Sequence, residues 1–124
     1  MNLRHWLVLI LLLSTTVCSC AAYRQGYQKG LTTSREAYLQ ADLSRMRAGI
    51  KKYTSDKDRP PQTLEELLDT DYLSYVSDDP VTEKPDWIIV RYDCKALANC
   101  KSGIKDVHSA STMKSSKGNP YTDW

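Results

Sequence analysis

Leu39, Leu43, Met46, Ile50 and Tyr53 recur at steps of four, three, four and three residues, which puts them on one side of an α-helix. Arg35, Asp42, Arg45, Lys51 and Lys52 fall on the opposite side, with Glu36, Gln40 and Arg47 near the boundary. A helix divided in this way has to cover its dry side, and the segments that follow predict that the cover is a sheet. The helix is expected to begin at Thr33-Ser34-Arg35-Glu36, a capping box in which the threonine hydroxyl accepts from a third-residue amide and the glutamate reaches back. It has to end before Pro60-Pro61, since proline lacks the amide that continues a helix and clashes with the preceding turn.

Beyond the prolines, Thr63-Leu64-Glu65-Glu66 is a second capping box and opens a short helix containing Leu64, Leu67 and Leu68. Asp78-Asp79-Pro80 is a turn, because a residue before proline is pushed out of the helical region. Trp87 to Tyr92 is dense in β-branched and aromatic residues, the composition of a strand. Gly103 to Ser111 predicts a second strand, with Ile104, Asp106 and His108 on one face and Lys105, Val107 and Ser109 on the other. The expected fold class is therefore α+β, an N-terminal amphipathic helix packed on a small antiparallel sheet.

The first twenty residues bear on compartment. Arg4 and His5 precede an apolar run from Trp6 to Leu13, followed by small polar residues and two cysteines, the layout of a secretory signal. That run is too short for a good spanning helix, although continuing through Ser14 to Ala22 makes a tolerable one. Val17-Cys18-Ser19-Cys20 has the pattern of a bacterial lipobox, with Cys20 as the lipid attachment residue. A lipid anchor and a retained membrane helix both remain open. Ala21 to Thr32 carries two glycines and little apolar periodicity, as a tether would. The expected divisions are residues 1–19 as signal peptide or anchor, 20–33 as tether and 34–124 as head domain.

Chemistry is sparse in this head. Asp106, His108 and Ser109 lie close in sequence, but neighbours in a strand point to opposite faces, so His108 and Ser109 cannot pair as a hydrolase requires. No residue is assigned a catalytic role, and no enzyme activity is expected. Cys94 and Cys100 lack zinc spacing and a second ligand pair; in an exported chain a disulfide between them is expected. Seventeen Lys and Arg against fifteen Asp and Glu give no electrostatic reason for a nucleic-acid partner. Eight tyrosines and no phenylalanine suit aromatic packing at wet boundaries.

Asp42 to Tyr53, Pro61 to Leu67, Tyr72-Leu73, Asp78 to Thr82, Trp87, Gly103 to Ser109 and Gly118 to Trp124, taken in that order, resemble the major pseudopilin of bacterial type II secretion systems, in the type IV pilin-like superfamily. The resemblance spans residues 36–124. It implies a pilin-like head and a structural role in a short periplasmic pseudopilus that assists protein export. The implied partners are other pseudopilin or secretion-apparatus subunits and a membrane, reached through the N-terminal anchor or lipid. The implied place is the bacterial cell envelope, with the head in the periplasm or otherwise outside the cytoplasm. The resemblance stops at the N-terminus: Arg4 to Ile10 offers neither the family's glycine cleavage site nor the glutamate that follows it. Related proteins hold calcium in the loop before the final aromatic, whereas Ser111 to Asp123 here contains Lys114 and Lys117 and a single aspartate. Calcium is therefore disfavoured, and no metal or other cofactor is expected. The alternative reading is a non-polymerising envelope lipoprotein whose pilin-like head binds another envelope protein.

Overall fold

A computed structural model describes residues 2–95 and 99–124, and of residues 13–18 the backbone alone. The side chains of Val17 and Cys18 in the lipobox-like motif, and Ala96 to Ala98 inside the cysteine loop, lie outside the described residues. The chain divides into two compact units, Met1–Ser34 and Arg35–Trp124.

Helix α1 is assigned over Leu3–Lys57, so its start differs from the expected capping box. Thr33 does not cap: its hydroxyl donates to the Lys29 carbonyl at 3.0 Å, and that of Thr32 donates to the Gln28 carbonyl at 3.0 Å. Both are back-bonds to the preceding turn, which a threonine can make only inside a helix. Gly26 and Gly30 weaken this stretch by about 1 kcal/mol each relative to alanine, but no proline interrupts its ladder. Residues 20–33, read as a tether, are helical. In the first unit, Leu3, Trp6 to Leu12, Tyr23, Tyr27 and Leu31 are exposed. Among the described residues no helix is long and apolar enough to cross a membrane.

In the second unit α1 ends at Lys57, where Asp58 takes a φ of 52° and the prolines follow. Helix α2, Leu64–Asp69, is capped by the Thr63 side chain, which accepts from the Glu66 amide; the Glu66 carboxylate reaches back to the Gln62 amide at 2.6 Å. Strands β1, Ile88–Arg91, and β2, Ile104–His108, pair antiparallel. The fold is thus α+β, with a two-stranded antiparallel sheet and a helix whose apolar stripe, Leu39, Leu43, Met46, Ile50 and Tyr53, joins one buried cluster with Leu64, Leu67, Leu73, Trp87, Ile104, Val107 and Tyr121.

The face assignment of β2 needs correction. Val90 pairs with Asp106 but Arg91 pairs with Ile104, a register shift that leaves Lys105 as the extra residue of a bulge. The bulge changes the phase of the pleat, so Ile104 and Val107 both reach the core while Lys105 is exposed. Strict alternation would have put them on opposite sides. Asp106 and His108 do share a face, with the His108 Nε2 atom 3.3 Å from an Asp106 carboxylate oxygen.

Candidate functional site: a carboxylate that fastens the C-terminal segment

Glu36 lies one turn before Leu39 on α1 and is only 8 % exposed. Its carboxylate accepts from the Ser116 amide at 2.5 Å, the Ser116 hydroxyl at 2.6 Å and the Tyr121 hydroxyl at 2.9 Å. Burial alone would push this carboxyl up, but the donors from Ser116 and Tyr121 together outweigh it and hold it below the usual glutamate value. Tyr121 is moved the other way: burial first, then its bond to the Glu36 carboxylate, raise its hydroxyl to about 12. Ionised glutamate and neutral tyrosine therefore stabilise one another.

The segment that meets Glu36 is built locally. Ser115 donates its amide to the Asn119 carbonyl at 2.8 Å and its hydroxyl to the Asn119 side-chain oxygen at 2.6 Å. Gly118, at a φ of 88°, supplies the left-handed residue the turn needs and donates to the Ser115 carbonyl at 2.9 Å. Lys114 bridges to Pro120, and a 3-10 turn, Tyr121–Asp123, follows. The Trp124 ring meets the edge of Tyr121 at 5.3 Å. Sequence reading treated Glu36 as part of a cap and looked in this loop for cation ligands. Here an acidic side chain from α1 gathers amide and hydroxyl donors. Among the described residues no group of three or more His, Cys, Asp or Glu side chains is placed to hold a metal ion.

Two further links hold the sheet side. Arg47 donates to the Asp106 carboxylate at 2.6 Å and to the Val107 carbonyl at 2.9 Å, gripping the bulged strand. Burial works against the Asp106 charge, but the Arg47 guanidinium and the Val107 amide hold its carboxyl below the usual aspartate range. The fully buried Ser109 donates to the Asp79 carboxylate at 2.5 Å. Asp79 is also fully buried; its other oxygen accepts from the Val81 amide at 2.8 Å and closes the turn read from Asp-Pro. The cluster that invited a hydrolase reading is thereby split: Asp106 meets Arg47 and His108, and Ser109 goes to Asp79.

Cys94 and Cys100 are joined by a disulfide with their Cα atoms 5.2 Å apart. Cys20 is an exposed free thiol on α1. Sequence reading passed over the cross-chain roles of Glu36, Arg47 and Asp79. The available signal for Glu36 was its position on the boundary of the apolar stripe, where a charge can turn inward only if partners arrive from elsewhere.

The class defined by these features is a small α+β head whose helix is fastened to a terminal segment by one carboxylate. No family model, curated protein or solved structure matches this chain.

Proposed function

We propose that this chain is a structural, pseudopilin-like subunit of a type II secretion or pilus-like apparatus, held at the cell envelope with its head outside the cytoplasm and assisting protein export. The ordered resemblance of residues 36–124 described above supports the reading. A head built as one helix on a small antiparallel sheet, with its C-terminal segment returned to that helix through Glu36, is in keeping with it. Such a head has the makings of a building block: Glu36, Arg47, Asp79 and Ser109 are spent on internal links. The partners are further subunits of the same kind or of the secretion apparatus.

The tests are measurement of secreted proteins after deletion of the gene and, in the parent strain, cysteine cross-linking between subunits in the envelope. Loss of secretion with cross-linked ladders is expected. Unaltered secretion without ladders would sink the assembly role.

The second reading, a non-polymerising lipoprotein that uses the head to bind another envelope protein, is favoured by the exposed thiol of Cys20 and by the lack of a glutamate in the apolar run. Intact-mass measurement of membrane-extracted protein separates the two. A chain beginning at Cys20 with added acyl mass supports the lipoprotein, and an unmodified chain retaining Met1 restores the filament helix.

A further inference from the structure

The balance of charge over the whole chain conceals a local imbalance. No aspartate or glutamate precedes Glu36, whereas Arg4, Arg24, Lys29 and Arg35 do. Because residues 20–33 are helical, their side chains have fixed directions. Cys20, Tyr23, Tyr27 and Leu31 follow one another at steps of three, four and four and so form a single stripe. They face solvent: Tyr23 is 78 %, Tyr27 58 % and Leu31 38 % exposed. Arg24 borders the stripe, next to Tyr23 and Tyr27 along a shallow groove. Lys29 stands on the far side of the helix, close enough to add to the field within roughly a Debye length of 8–10 Å.

We infer that this face of α1 lies on an anionic lipid surface, with the tyrosine rings at headgroup level and Arg24 against the lipid phosphates. Tyrosine is suited to that position because its ring is apolar and its hydroxyl stays wet. The exposed apolar side chains of Trp6 to Leu12 precede the stripe in the same unit, so a lipid surface would cover both, which an acidic protein patch of ordinary size would not. A second copy of this segment is disfavoured as occupant, since each copy brings only positive charge. The inference rests on the membrane attachment in the reading above and not on polymerisation.

The full chain, reconstituted with vesicles of phosphatidylcholine alone or mixed with phosphatidylglycerol, carries a photoreactive benzophenone amino acid in place of Tyr27 or, on the opposite face, of Gln25. Lipid adducts are expected at the Tyr27 position, increased several-fold by phosphatidylglycerol and suppressed by salt. Arg24→Gln should reduce the phosphatidylglycerol-dependent adducts by roughly five-fold, the worth of one basic side chain at such a surface, and Lys29→Gln by less. Equal labelling from both faces, adducts to a second copy, or indifference to phosphatidylglycerol would overturn the inference while leaving attachment intact. A chain that fails to float with either vesicle would remove attachment itself.

Discussion

Glu36 and Gly49 are two positions on α1 where a single atom or charge matters. Replacing Glu36 with glutamine keeps the shape but loses the ionised acceptor that Ser116 and Tyr121 share. Hydrogen bonds to a charged group contribute about 1.5–3 kcal/mol, so Glu36→Gln should lower unfolding free energy by about 2 kcal/mol in urea titration. Tyr121→Phe removes one of those donors and should cost about 1 kcal/mol. In a double-mutant cycle the two effects should fall short of additive, because they act on one cluster. At Gly49 an added Cβ would sit 2.9 Å from Leu73 Cδ2 and 3.2 Å from the Tyr72 carbonyl oxygen. Leu73 is buried and cannot withdraw freely. Gly49→Ala should therefore destabilise by about 1 kcal/mol despite the helix propensity gained, since overpacking typically costs about 1–3 kcal/mol. Gly26→Ala, with nothing within 4 Å of the added atom, should raise helix content instead. The crowding at Gly49 is not legible in the sequence, because Leu73 arrives from a later part of the chain.

At the scale of elements, much was legible where local chemistry decides. The stripe from Leu39 to Tyr53 is buried, α2 follows directly on the threonine that caps it, and both strands fall within the stretches expected to form them. Two features were not legible. The beginning of α1 was read from a pattern that also occurs inside helices, and the bulge at Lys105 is a property of the pairing with Val90 and Arg91 that neither strand records by itself. The loop between the strands is closed by Cys94 and Cys100, and chain-entropy estimates place such a short closure at about 2–3 kcal/mol. A Cys94→Ala/Cys100→Ala variant should lose roughly that amount in urea titration. Dithiothreitol should have no further effect on that variant while weakening the parent protein.

Over the whole molecule, stability should depend on pH chiefly through carboxylates. Glu66 is held at about 2 by the Arg59 guanidinium, the Gln62 amide and the Tyr53 hydroxyl, against an ordinary value of 4.5; Glu36 and Asp106 are also lowered. A carboxyl whose value is depressed on folding binds protons more readily when unfolded. Its contribution is complete above the ordinary value and is lost as pH falls toward the folded one. The melting temperature should thus hold near about pH 6 and decline steadily between about pH 4.5 and about pH 2. Glu66→Gln should flatten the lower part of that decline. Tyr121 works in reverse: raised to about 12, its contribution is present below its ordinary value of 10 and is lost as pH rises from there. A melting temperature that did not change between about pH 5 and about pH 2 would contradict the carboxylate links.

The Glu36 contact with Tyr121 spans 85 residues of sequence. A chain emerging from the ribosome, or threading through a translocon, presents Glu36 long before Tyr121. Until the later segment follows, the carboxylate has only water to satisfy it, and the apolar stripe beside it lacks Tyr121, Ile104 and Val107 as cover. Bringing such distant segments together is slow, because loop closure precedes any stabilising contact. For the export proposed above, that delay is an advantage, since a chain not yet closed can still be threaded. The latch that closes the finished head therefore cannot form, and the face of α1 cannot be fully covered, until residues 104–121 have been made.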